Sequence, residues 1–183
     1  MKVMILMSLF SLFFREEVIH NYLDNQIDIS VSYFKVEYDT YQEELKKNYF
    51  KGESKEEISN KIEKYLKGKL DGKGQYITTK CLEVGLDPYL FTAVVLQETG
   101  CYWGCSYLTR NCNNVAGNKG KPGCNGGSYR KFDTINEGID FAIKKLNSYY
   151  KKGLNTAKSI NPYYAEDKTW YVKVNNYIKK LKS

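Results

Sequence analysis

The sequence predicts a mainly α-helical domain, α+β at most, over residues 53–183, with one disulfide-stapled loop or small β-hairpin beside its most apolar helix. Three observations carry this. Apolar residues recur at helical 3–4 spacing in several separate segments, and helix-start and helix-stop residues bracket those segments. Four of the five cysteines crowd one glycine- and asparagine-rich stretch, residues 101–124, which needs cross-links to hold a shape.

In chain order, Lys2 precedes an apolar run from Val3 to Phe14. The run suits the core of an export signal and falls short of the roughly 20 residues of a spanning helix. No small-x-small cleavage site follows, so residues 1–14 read as a signal or membrane-anchor segment. Residues 15–52 mix charge, Tyr and Asn without clear period and read as a stalk or linker with at most one short helix. Ser54 and Glu57 then form a capping box ahead of Ile58, Ile62, Tyr65 and Leu66 on one helical face, with Gly68 as the stop. The LDGKG segment at 70–74 is a turn. A helix over about 75–84 ends at Gly85, and Asp87–Pro88 starts the next: the Asp side chain caps free N–H groups and Pro fits the first turn. Gly100 ends it.

From Gly100 to Lys131 the chain is an irregular excursion with no acidic residue. Thr134 and Glu137 open a long amphipathic helix carrying Ile135, Ile139, Ile143, Leu146 and Tyr150, closed by Gly153. A short helical piece at 156–160 and a turn at Asn161–Pro162 precede a last helix, where Val174, Tyr177, Ile178 and Leu181 share a face.

The segment FTAVVLQETG, residues 91–100, holds a single carboxylate in an apolar run. Phe91, Val94, Val95 and Glu98 fall at i, i+3, i+4 and i+7, so Glu98 lies on the apolar stripe. A carboxyl there finds a buried partner, faces a cleft that raises its pKa, or bends out to water. The second arrangement suits a general acid near neutral pH.

The formal net charge of +7 is unevenly placed: residues 1–80 hold 13 basic and 13 acidic side chains, residues 81–183 hold 15 and 8. The half with Glu98 should be drawn to an acidic partner, an anionic cell-wall polymer, an anionic membrane surface or nucleic acid, with plain solvated surface charge as the competing reading. No nucleic-acid-binding motif accompanies the charge, so a nucleic-acid partner is not expected. Cys81 shares helical spacing with Ile77 and Val84 and reads as a free core thiol. Cys101, Cys105, Cys112 and Cys124 read as one or two disulfides of an exported protein, with three pairings open. Their gaps of three, six and eleven residues match no common zinc finger, and the one histidine, His20, is remote; neither metal nor cofactor is expected.

The order of GLDPYLFTAVVLQETG (85–100), GCS (104–106), NNVAGNKG (113–120), YRKFDTINEGIDFAIKKL (129–146), YYKKGLNT (149–156) and YYAEDKTWYVKVNNYI (163–178) resembles the lysozyme-superfamily glucosaminidase domains. These are peptidoglycan hydrolases of the endo-β-N-acetylglucosaminidase type. The resemblance covers residues 53–183 and implies a lysozyme-like helical fold. It implies that Glu98 is the proton donor to the glycosidic oxygen and that Tyr164, in its Y-A-x-D segment with Ala165 and Asp167, lies close by. Asn114 and Gly117 match the loop lining the cleft; Tyr129, Phe132 and Trp170 match aromatic positions near the sugar path, with core packing as the competing role for Phe132 and Trp170. The implied partners are peptidoglycan glycan strands, met by a monomer outside the cell or in its envelope.

Two features depart from the family pattern. The cysteines of 101–124 are not part of it. And no Asp or Glu lies between Glu98 and Asp133, although glycosidases ordinarily pair two carboxylates. Either the substrate's N-acetyl group serves as nucleophile, or Asp133, Glu166 or Asp167 activates water. A lytic transglycosylase or muramidase on the same fold is the nearest alternative, and a non-catalytic wall-binding module the next.

Overall fold

The computed structural model describes the backbone of residues 2–183 and the side chains of residues 15, 16 and 18–183. It divides into two compact units, Met1–Leu45 and Lys46–Ser183.

The first unit belongs to helix α1, Lys2–Asn48. Where the sequence suggests a stalk with at most one short helix, a single helix runs through without interruption. The reason is compositional: residues 2–48 contain neither Gly nor Pro, so nothing in the backbone breaks the hydrogen-bond ladder. The period is hard to read because Ile19, Tyr22, Ile27, Ile29, Tyr33 and Phe34 are exposed around the cylinder rather than gathered on one buried stripe. The export or anchor reading of residues 1–14 turns on side chains outside the described residues. Among the described residues, no helix is long and apolar enough to cross a membrane.

The second unit opens with a two-stranded antiparallel hairpin, β1 (Tyr49–Phe50) and β2 (Glu53–Ser54), turned by Lys51 and Gly52, both at positive φ. Helix α2, Lys55–Glu63, carries the expected reciprocal cap between Ser54 and Glu57 and buries Ile58 and Ile62. Helix α3, Gly74–Glu83, buries Ile77 and the free thiol Cys81.

Helix α4, Pro88–Thr99, is the centre of the domain. The Asp87 carboxylate accepts the N–H groups of Tyr89 and Leu90 at 2.9 and 3.2 Å, and Gly100 closes the helix in the left-handed conformation. The sequence marks one apolar stripe, but the structure buries residues 88–96 all round, as expected of a helix apolar on every side. Helices α2, α3 and α8 (Trp170–Lys182) pack against it. Only its last turn, at Gln97 and Glu98, opens partway.

After α4 comes the loop of residues 100–134, containing α5, Tyr107–Cys112. Disulfides Cys101–Cys105 and Cys112–Cys124 staple it, resolving the pairing that spacing leaves open. Its only strand-like features are isolated antiparallel bridges, Lys119 with Tyr129 and Gly123 with Arg130; the true hairpin lies at 49–54. Helix α6, Ile135–Tyr150, starts where expected, but the Glu137 carboxylate accepts the N–H of Asp133 rather than that of Thr134. Gly138 lets the loop pack on α6: a Cβ there would stand 1.9 Å from the Asn113 carbonyl oxygen. Helix α7, Ala157–Tyr164, continues through Pro162 instead of ending at Asn161. Asn161 helps hold the following turn, donating from Nδ2 to the Asp167 carbonyl at 2.9 Å and accepting from the Tyr171 N–H at 3.1 Å.

Candidate active site

Glu98 stands in the last turn of α4, where burial ends. Its Oε1 accepts a hydrogen bond from Trp170 Nε1 at 2.9 Å. Trp170 opens α8 and is itself buried, so the indole fixes one carboxyl oxygen from the protein side. Tyr164, the last residue of α7, lays its ring against Trp170 with centroids 4.9 Å apart. Three helix ends thus bring Glu98, Trp170 and Tyr164 together.

The stapled loop supplies the opposite side. At Gly117, with φ of +57°, a Cβ would come 3.9 Å from Glu98 Oε2 and 4.0 Å from the Tyr129 ring. Glycine avoids the cost of a left-handed L-residue and keeps that side of the carboxyl clear. Among the described residues no protein group donates to Oε2. A ligand oxygen can therefore approach it.

Asn114 organises the loop. It is buried, its Oδ1 accepts the N–H groups of Ala116 and Asn118, and its Nδ2 donates to the carbonyls of Asn118 and Arg130, both at 2.8 Å. All four hydrogen-bonding positions of the amide are used. Asn114 is thus a brace behind the loop face.

A cavity of about 620 Å³ opens beside the carboxyl, lined by Gly117, Asn118, Phe141, Lys145 and Tyr164 among others. That is a normal size for a small-ligand or sugar site. Lys145 donates from Nζ to Asn118 Oδ1 at 3.1 Å and sits 5.3 Å from the centre of the Tyr164 ring.

The electrostatics follow from this packing. Burial pushes the Glu98 carboxyl above the usual carboxylate range, while the Trp170 hydrogen bond and the Lys145 charge pull part of the way back. Burial holds Lys145 below the ordinary lysine value, opposed by Glu98. The Tyr164 hydroxyl is raised by burial and then by Glu98, so it stays protonated. A carboxyl in this state can hold a proton where an exposed one has lost it, and can give it to a ligand oxygen.

Other residues singled out from the sequence fall elsewhere. Phe132 is buried against Phe141, with centroids 5.3 Å apart, and supports the loop from below. Tyr129 is 40% exposed and faces Gly117. Asp133 is exposed at the start of α6. Asp167 is paired with Lys173 at 2.8 Å and accepts from Thr169, which holds its carboxyl well below the usual range. Glu166 lines a different cavity, of about 510 Å³, with Lys158 and Lys168 among its neighbours. None of these three acids contacts Glu98. Sequence reasoning missed Lys145, Asn118 and Phe141. Lys145 had one available signal: it falls three residues after Ala142 and one before Leu146, on the edge of the buried stripe of α6.

A helical domain that encloses one proton-retaining carboxyl beside a sugar-sized cavity has the architecture of a lysozyme-like glycoside hydrolase. Residues 74–183 match the family model Glucosaminidase, described as mannosyl-glycoprotein endo-beta-N-acetylglucosaminidase. The match spans more than half of the chain, which belongs to this glucosaminidase family. A comparison with curated proteins returned no match.

Proposed function

We propose that the protein hydrolyses the β-1,4 glycan backbone of peptidoglycan as an endo-β-N-acetylglucosaminidase, with Glu98 as general acid. The observation that carries this reading is the half-buried Glu98 carboxyl, gripped on Oε1 by Trp170 and left unpartnered on Oε2 toward the loop. In the first step the Glu98 proton passes to the glycosidic oxygen as the bond from that oxygen to C1 breaks. The carbonyl oxygen of the sugar's own N-acetyl group attacks C1, giving a cyclic oxazolinium. Water then attacks C1 as the bond from C1 to the acetamido oxygen breaks and frees the N-acetyl group, and the Glu98 carboxylate takes the water's proton, which restores the acid.

Substrate assistance is favoured because, among the described residues, no second carboxylate accompanies Glu98: Asp167 is committed to Lys173 and Thr169, Glu166 lines another cavity, and Asp133 is exposed at the start of α6. Tyr164, whose hydroxyl burial keeps protonated, supports the reading as a group that orients the acetamido group or water. The two disulfides and the apolar N-terminal run support action outside the cytoplasmic membrane. The basic excess of residues 81–183 favours adhesion to anionic wall polymers.

A lone carboxyl also serves a lytic transglycosylase, where the sugar's own hydroxyl replaces water. Mass spectrometry of digested, purified peptidoglycan separates the readings. Reducing N-acetylglucosamine ends are expected, reducing N-acetylmuramic acid ends mean a muramidase, and anhydro ends mean a transglycosylase. D133N, E166Q and D167N should each retain turnover. Collapse in any one of them, with folding intact, would replace substrate assistance by a two-carboxylate mechanism.

A further inference from the structure

Trp103 is 82% exposed. An indole is the largest apolar side chain, and leaving it in water forfeits more burial energy than any other residue could. It does not sit on a slack loop tip. The Cys101–Cys105 disulfide closes the segment around it. The N–H groups of Trp103 and Gly104 both donate to the Gly100 carbonyl, at 2.9 and 3.2 Å. The Lys67 N–H donates to the Cys101 carbonyl at 2.9 Å, tying the turn to the connection between α2 and α3.

The indole is backed by other rings. Tyr102 meets Trp103 edge-on with centroids 4.8 Å apart, and Tyr65 stacks on Tyr102 at 5.7 Å. Lys180 Nζ stands 5.7 Å from the Tyr102 ring centre. An aromatic surface is therefore held out rigidly, with a cation at its margin. Trp103 follows Glu98 by five residues in the chain, so the two lie no more than roughly 18 Å apart. None of Trp103, Tyr102 and Tyr65 lines the cavity beside Glu98, yet that separation is within reach of a few consecutive sugar rings.

We propose that Trp103, backed by Tyr102 and Tyr65, is a stacking platform for pyranose rings of a glycan polymer, a binding site separate from the catalytic cleft. The face of a β-linked pyranose carries axial C–H groups of slight positive charge, which suit the negative face of an indole. Such stacking tolerates varied substituents. Lys180 adds attraction for the carboxylates or phosphates that wall polymers carry. A rigid platform loses little conformational entropy on binding, which gives the staple a purpose. The choice of a glycan over other partners rests on the glycan-hydrolase reading of Glu98, but the platform's existence is tested without turnover.

The experiment is co-sedimentation with insoluble purified peptidoglycan, carried out on the full chain in the inactive E98Q background. Adding W103A should weaken binding at least tenfold, with W103F retaining part of it. C101A/C105A, which keeps the indole but frees the loop, should fall between. In the background with Glu98 intact, W103A should leave turnover of short chitin oligosaccharides unchanged while slowing digestion of whole walls. Unchanged wall binding by W103A overturns the proposal. So does a loss of binding to anionic lipid vesicles with wall binding intact, since the indole would then be a membrane anchor. If E98Q proves active yet W103A still releases the wall, the catalytic reading fails and the platform stands.

Discussion

The two walls around Glu98 are built by different means. The helical wall, with Glu98, Trp170, Tyr164 and Lys145, is fixed by a continuous apolar core in which Phe91, Val95, Leu96, Ile139 and Val174 are buried. The loop wall, with Gly117, Asn118 and Tyr129, sends only a few apolar side chains into that core, Val115 and Ala116 among them. It is fixed by the fully bonded amide of Asn114, by the disulfide Cys112–Cys124 and by its contact with Gly138. The difference teaches that a segment without a hydrophobic period can still be positioned, provided covalent links and buried polar bonds add to a few apolar anchors such as Val115. It also divides the chemistry: the helical wall sets the proton affinity of the acid, and the loop wall sets its access.

Changes to the two walls should therefore fail differently. The largest expected effect is on the helical side: E98Q should lower turnover of peptidoglycan at least about 100-fold, the usual share of a general acid, with an unchanged circular dichroism spectrum. On the loop side, N114A leaves four backbone groups without their partner. It should cost about 2–4 kcal/mol in urea unfolding and lower activity by reducing the ordered loop. Removing the staple with C112S/C124S should cost about 3 kcal/mol, since it frees a loop of intermediate length. Neither loop change should move the pH profile.

The opposite holds for the helical wall. W170F removes a hydrogen bond that favours the ionised carboxyl, and K145M removes a positive charge that does the same. Each should raise the Glu98 pKa and shift the alkaline limb of kcat to higher pH, at a modest cost in amplitude. A limb that moves in N114A but not in W170F would dissolve the distinction between the walls. Smallest of all is a stability effect. The folded-state pKa of Glu98 lies above its unfolded value, so its contribution to stability is full below the unfolded pKa and is lost as pH rises through the folded pKa. The Tm of E98Q relative to the parent should therefore increase across that window, measured by thermal scans at several pH values.

Much of the helical wall was legible in the sequence because its signals are local. Ser54 with Glu57, Asp87 with Pro88, and Thr134 with Glu137 mark helix starts whose hydrogen bonds form within four residues. Glu98 stood out as the only charge in an apolar run. Less was legible where structure depends on distant partners. The cysteine pairing could not be read because spacing does not encode which Sγ atoms meet. Lys145 was obscure because its role comes from Asn118, 27 residues away in the chain. The family resemblance puts Asn114 in the loop lining the cleft, whereas its amide faces inward to backbone groups that only the folded loop presents. Helix α1 went unread for the reverse reason: its apolar residues follow no single stripe, although the absence of Gly and Pro was plain.

The central claim is that Glu98 holds its proton above the ordinary carboxylate range and delivers it in the reaction. Carbon-detected NMR of the protein labelled at the glutamate carboxyls, with Glu98 assigned by its absence in E98Q, measures that titration directly. The midpoint should lie above the ordinary value of 4.5, and the alkaline limb of kcat on peptidoglycan should follow the same titration as it shifts in the substrate complex. A Glu98 that titrates at or below the ordinary value, or activity that survives in E98Q, would contradict the account.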